Sequence, residues 1–201
     1  MIEQPQQTPE EIQPETPQGS NPEHPPAGLL FLITLGVILA ADLSTKYAAF
    51  KFLGVTIFIA PDGTPAITAT SAYPLFPGLA LEAALNLGAF NGWFAQMPWL
   101  LIGISALALP ICAYVALKAP HRSTTLILSL AFIASGALGN LYDRVLYGGV
   151  RDFIRCSIEI GDREWVWPNF NIADSAIVCG VALILLREWK LSRQVRATGS
   201  Q

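Results

Sequence analysis

The amino-acid sequence predicts an all-α membrane protein, a four-transmembrane-helix bundle with a small extracytoplasmic β-rich segment. Three observations point there. Of 201 residues, 52% are hydrophobic and only 13% are charged, against about 25% charged in a soluble domain. The mean hydropathy is +0.45. The apolar residues gather into four long runs that leave no polar face, unlike the striped pattern of a soluble amphipathic helix.

The elements follow in order. Residues 1–26 are rich in Pro, Gln, Glu and Thr and carry Glu3, Glu10, Glu11, Glu15 and Glu23 but no Lys or Arg. Such a stretch cannot bury enough surface to offset its chain entropy, so it reads as a disordered N-terminal cytoplasmic tail. It also lacks the positive region that opens a secretory signal. A membrane domain covers 27–190, with helices at about 27–50, 98–117, 124–142 and 171–189. A hydrocarbon core of roughly 30 Å needs about 20 helical residues. The second and third runs meet that length. The first meets it with Asp42 at an interface, and the fourth with Asp174 inside the membrane. Residues 54–60 and 66–70 are β-prone and split by Pro61-Asp62-Gly63, which reads as a hairpin outside the bilayer. Residues 191–201 form a cytoplasmic C-terminal tail.

Orientation follows from the basic loops. Lys118, His121 and Arg122 lie between the second and third runs, and Arg187, Lys190, Arg193 and Arg196 follow the fourth. Four spans put both on one side, and the basic side is cytoplasmic. Both termini are then inside, and 51–97 and 147–171 face outward. Trp93, Trp99, Trp165, Trp167 and Trp189 flank the runs as interfacial anchors do. Nothing resembles a nucleic-acid surface. Cys112, Cys156 and Cys179 show no disulfide pattern, and Cys112 and Cys179, inside apolar runs, read as small buried packing residues. The two histidines, His24 and His121, lie away from the outward face, which argues against a His-rich metal site.

A charge inside a membrane segment costs about 2.5–3.5 kcal/mol even on the lenient insertion scale, so the polar residues at the span ends need a reason. They form four clusters toward the outer face. Asp42 and Lys46 stand four apart on a helix and can pair, which by itself reads as a structural ion pair. Asn86-Leu87-Gly88-Ala89-Phe90-Asn91 reads alone as a turn. Gly139-Asn140-Leu141-Tyr142-Asp143-Arg144 puts Asn140 and Arg144 on one helix face, and Asp143 could pair beside Arg144. It continues to Gly149-Val150-Arg151-Asp152-Phe153, where apolar neighbours at a membrane surface raise the Asp152 carboxyl by desolvation. In Trp167-Pro168-Asn169-Phe170-Asn171-Ile172-Ala173-Asp174-Ser175 either Asn171 or Pro168 could begin a helix, and Asp174 could serve only its dipole. If Asp152 and Asp174 approach closely, they share one proton, and one can activate water while the other donates to a carbonyl. The residues alone leave this dyad open against an ion pathway, as in a small proton-coupled transporter, or a scaffold of structural pairs.

The four clusters, in this order, resemble the signature of bacterial lipoprotein signal peptidases, the signal peptidase II family. Asp42, Thr45 and Lys46 match its first motif, and Asn86, Gly88 and Ala89 its second. Gly139, Asn140, Asp143, Arg144, Gly149, Val150, Asp152 and Phe153 match the third, and Phe170, Asn171, Ala173, Asp174 and Ser175 the fourth. The resemblance covers roughly 28–190. It implies an intramembrane aspartyl endopeptidase, with Asp152 and Asp174 catalytic, that cleaves diacylglyceryl-modified prolipoproteins just before the lipidated cysteine. Asn86, Gly88, Asn140, Arg144 and Asn171 would bind substrate or support the dyad. Asp42 and Lys46 would be structural or near the site, and Asp143 would support Arg144. It implies no cofactor and no metal. The expected partners are the prolipoprotein and membrane lipids, with no nucleic acid, for a monomer in the bacterial inner membrane whose site lies near the extracytoplasmic face. The chain departs from the family pattern at Phe90 and Asn91, at Arg151, and in the charged stretch with Glu159, Asp162, Arg163 and Glu164, which bears on substrate preference.

Overall fold

The computed structural model describes residues 26–69, 71–89, 94–120 and 123–198. The expected disordered tail, apart from Pro26, lies outside the described residues, as do Phe90, Asn91, Trp93, His121 and Arg122. Four helices are described: α1 Ala27–Phe52, α2 Pro98–Lys118, α3 Thr124–Tyr147 and α4 Ile172–Thr198. Strands β1 Ile57–Ile59 and β2 Pro65–Ile67 form the hairpin expected after α1. Strands β3 Tyr73–Phe76, β4 Leu79–Asn86, β5 Val150–Ile160 and β6 Arg163–Val166 form an antiparallel sheet in the order β3-β4-β5-β6. The sheet content exceeds the small segment expected. Strand β5 was hidden in the sequence by Arg151, Asp152 and Arg155, which break the apolar alternation that marks a strand.

Two helices outrun their expected ends. The third was expected to stop near 142, but no breaker intervenes before Gly148, whose left-handed φ of 71° closes α3 with an N–H bond to Arg144 O at 3.1 Å. Asp143 and Arg144 are therefore helical. The fourth was expected to give way to a tail at 191, but α4 continues to Thr198. Lys190, Arg193 and Arg196 are good helix formers and sit favourably at the negative end of its dipole.

Burial is distributed inside out. Large apolar side chains such as Leu32, Val37, Leu107, Leu117 and Leu185 are exposed, while Asp42, Lys46, Asp143, Asp152 and Asn171 are buried. That is the expectation for a chain whose surroundings are hydrocarbon and whose polar groups must satisfy one another. Helices α1, α2 and α3 are long and apolar enough to cross a membrane. Helix α4 opens on Asp174 and ends in a charged stretch, so composition alone does not assign it as a span.

Helix α3 occupies the centre, packed against α1, α2 and α4. Its buried face is made of small residues, including Ala131, Ala134, Ser135, Gly136 and Gly139. A Cβ at Gly136 would collide with the Ala173 carbonyl, and one at Gly139 with the Asp42 carboxylate. Bare backbone there lets α1 and the start of α4 close on α3, as small residues do in membrane bundles.

Candidate active site

Close packing of α1, α3 and α4 brings the scattered polar residues to one end of the bundle. Lys46 is wholly buried. Its ammonium lies 2.8 Å from Asp42 Oδ2 and 3.2 Å from Asp143 Oδ2, and it donates to Asn140 Oδ1 at 3.1 Å. The ammonium is thus surrounded by three oxygens, two of them from carboxylates. Asp143 also accepts from Arg151, through Nη2 at 2.7 Å, Nε at 3.1 Å and the backbone N–H at 3.0 Å. Two carboxylates and two cations make a formally neutral cluster, the condition under which buried charge is tolerated.

Asp143 makes no ion pair or hydrogen bond with Arg144 among the described residues. Successive helical residues diverge by about 100°, and Asp143 faces Lys46 and Arg151 while Arg144 reaches across to donate to Gly88 O at 3.0 Å. Arg151, which stood out as a departure, is the buried counter-ion of Asp143 and only 5% exposed. Sequence reasoning missed that pairing because a spacing of eight has no helical meaning. The one available signal was Gly148-Gly149, which turns the chain back on itself.

The start of α4 is capped twice. Asp174 N–H donates to Asn171 Oδ1 at 2.9 Å, and Asn171 N–H donates to Asp174 Oδ2 at 3.3 Å, a reciprocal capping box. The next orphan donor, Ala173 N–H, bonds Asp42 Oδ1 at 2.9 Å. Asp42 thus ties α1 to the first turn of α4 while Lys46 neutralises it.

Each central carboxylate is held by asparagine. Asn140 donates to Asp174 Oδ1 at 2.7 Å. Its amide has no freedom to flip, because Lys46 has only protons to offer its Oδ1. Asn171 donates to Asp152 Oδ1 at 2.7 Å, and Asn86 donates to Asp152 Oδ2 at 3.2 Å. Asn86 ends β4, and its Oδ1 also accepts Gly88 N–H at 3.0 Å, which shapes the turn that meets Arg144. Burial, and then the neighbouring Asp174 carboxylate, push the Asp152 carboxyl up to about 7, against the downward pull of Asn86, Asn171 and Lys46.

A cavity of about 750 Å³ opens beside these groups. Asp174, Asn140, Asn86 and Arg144 form its polar end, and Ile104 and Ile177 belong to its apolar wall. Asp152 lies behind this polar end, bonded to the lining residue Asn86, and is 1% exposed. Arg144 Nε is buried with no hydrogen-bond partner among the described residues. The arrangement supplies two carboxylates, amide donors, a guanidinium with an unused N–H, and an apolar trough.

Residues 34–190 match the family described as Signal peptidase (SPase) II. The chain belongs to the signal peptidase II family. All ten residues singled out as the site in the sequence, from Asp42 to Asp174, fall inside the span that matches it. Two similar proteins are named lipoprotein signal peptidase. The one from Sulfurihydrogenibium sp. (strain YO3AOP1) is 37% identical over 174 residues, 82% of this chain and 95% of its own. The one from Francisella tularensis subsp. novicida (strain U112) is 36% identical over 160 residues, 78% and 89% of the two chains. Two solved structures described as a bacterial membrane enzyme, determined by the in meso method, align with TM-scores of 0.62 and 0.59 at 28% identity. They cover 80% and 78% of this chain, and 87% and 90% of their own. This signal peptidase II member is a membrane protein and a peptidase, and the transporter alternative is not favoured.

Proposed function

We propose that the chain is an intramembrane aspartyl endopeptidase that removes the signal peptide from diacylglyceryl-modified prolipoproteins by cleaving just before the lipidated cysteine. The observation that carries this reading is Asn171 bonding both Asp152 and Asp174, so that two carboxylates are held as one unit beside a cavity. One carboxylate, ionised, takes a proton from a water molecule. The other, protonated, donates a hydrogen bond to the scissile carbonyl oxygen. Hydroxide attack gives a tetrahedral intermediate, the C–N bond breaks, and the departing nitrogen takes up a proton. The Asp152 carboxyl, raised to about 7, suits the protonated role near neutral pH.

The remaining roles follow from the chain's own contacts. Asn140 holds Asp174, Asn86 and Asn171 hold Asp152, and the Arg144 Nε–H, without a partner among the described residues, bonds the substrate backbone. Asp42, Lys46, Asp143 and Arg151 are structural. The apolar wall of the cavity suits the diacylglyceryl chains. Exposed Val178, Val181 and Leu185 support α4 as the fourth span. The protein then acts as a monomer in the bacterial inner membrane, with both termini cytoplasmic and the site near the outer face.

The test is a gel-shift assay of purified enzyme with a diacylglyceryl-modified prolipoprotein, run beside Asp152→Asn and Asp174→Asn. Cleavage by wild type alone supports the reading. Equal cleavage by all three overturns it.

A further inference from the structure

Neighbouring residues of a strand face opposite ways. On β5, Asp152 turns toward Asn171 and Asp174, and Arg151 turns away from them. Arg151 borders a second cleft, of about 670 Å³, bounded by the last turns of α1 and α3 and by the β1–β2 hairpin. Its walls are apolar and aromatic, with Tyr47, Phe58, Leu146 and Tyr147 among them. Among the described residues its only charged lining residues are Lys51 and Arg151, and no carboxylate lines it.

Both cations have capacity to spare. The Arg151 guanidinium gives Nε and Nη2 to Asp143 and stacks on the Tyr147 ring at 4.4 Å, which leaves Nη1 without a partner among the described residues. Lys51 is exposed, lies 5.6 Å from the Tyr47 ring, and makes no ion pair among the described residues. The helix ends that border the cleft present backbone carbonyls, whose partial negative charge opposes an anion. An anionic ligand there depends on the two side chains.

We propose that this cleft binds an anionic phospholipid, with Lys51 and the free edge of Arg151 on its phosphate oxygens. Exposed Leu146, with Val145 and Tyr142 beside it on α3, continues the apolar wall for an acyl chain. A zwitterionic headgroup brings an ammonium that meets no carboxylate in the cleft. A bare phosphate leaves the apolar walls unused. Tyrosines at helix ends mark headgroup depth, where the ligand is abundant.

The experiment uses the full chain in neutral detergent and titrates phosphatidylglycerol, phosphatidylcholine or glycerol phosphate, reading bound lipid by native mass spectrometry and Tm in parallel. The expected result is tighter binding and a larger Tm rise with phosphatidylglycerol. Lys51→Gln weakens it by roughly fivefold, the scale of one partly exposed ion pair, and Lys51→Glu weakens it further. Lys190→Gln, at the far end of α4, leaves it unchanged. Prolipoprotein cleavage by the Lys51 variants stays at the wild-type rate without added lipid, which shows that they are folded. Equal binding of both lipids, an equal loss in Lys190→Gln, or glycerol phosphate binding as tightly as the lipid overturns the proposal. None of these outcomes depends on which carboxylates cut the substrate.

Discussion

The side-chain amide of Asn171 donates to Asp152 Oδ1 at 2.7 Å, and the same residue caps α4 through its Oδ1. Asn171→Ala therefore removes two things. Losing the cap costs about 1 kcal/mol of stability, read as a lower Tm. Losing the amide removes a bond that pulls the Asp152 carboxyl down. The alkaline limb of the pH–rate profile is then expected to move to higher pH. An unmoved limb would separate Asp152 from that limb.

The wild-type pH dependence has a definite sign. The Asp152 carboxyl rises from 3.8 to about 7 on folding. Between those values the folded chain holds a proton that the unfolded chain has lost, so this group's contribution to stability falls as pH rises and levels off above about 7. Activity that needs a protonated Asp152 is expected to fall through the same pH. Thermal unfolding and initial rates across a pH series check both.

Asp152→Asn and Asp174→Asn are each expected to lower the cleavage rate by about 10³-fold, within the range for removing a positioned acid or base. Tm is expected to fall in Asp152→Asn, because the new amide NH2 must face the Asn86 or Asn171 donor where a carboxyl oxygen accepted. Wild-type rates in either variant, measured by single-turnover cleavage, would move the chemistry to other groups.

Lys46→Met strips the buried donor from Asp42, Asp143 and Asn140 together. Removing one partner of a buried charge cluster costs about 3–5 kcal/mol, so a large fall in Tm is expected. Arg151→Met is expected to cost less, since Lys46 still neutralises part of Asp143.

Gly139→Ala drives a Cβ into the Asp42 carboxylate, whereas a Cβ at Gly103 on α2 meets nothing within 4 Å. The first is expected to destabilise by about 1–3 kcal/mol. The second is expected to stabilise by up to about 1 kcal/mol through helix propensity. Equal effects in the two variants would disprove the tight α1–α3 contact.

Much of this architecture is legible in the chain because membrane insertion imposes strict compositional rules. The apolar runs that become α1, α2 and α3 admit few other readings. The Asp42–Lys46 pair could be read because four residues make one helical turn. A helix start near Asn171 could be read because Asn and Pro favour such positions, though Pro168 offered a second start. What stayed hidden is non-local. Asp143 finds Arg151 across a turn, Ala173 finds Asp42 across most of the chain, and β5 pairs with β4 although its charges suggest a loop. Each depends on chain direction after a break, which side-chain chemistry alone does not encode.

The neutral cluster around Lys46 has a consequence for biogenesis. Asp42 and Lys46 leave the ribosome together on α1, but Asn140, which Lys46 also bonds, lies 94 residues further on. At about 5–20 residues per second this is a wait of roughly 5–20 s. During that wait the i,i+4 pair is the only compensation available to either charge within the nascent helix. Severing it would strand one uncompensated ion at the insertion machinery before the rest of the bundle exists, so a variant that survives in the finished fold could still fail at the moment of delivery to the lipid.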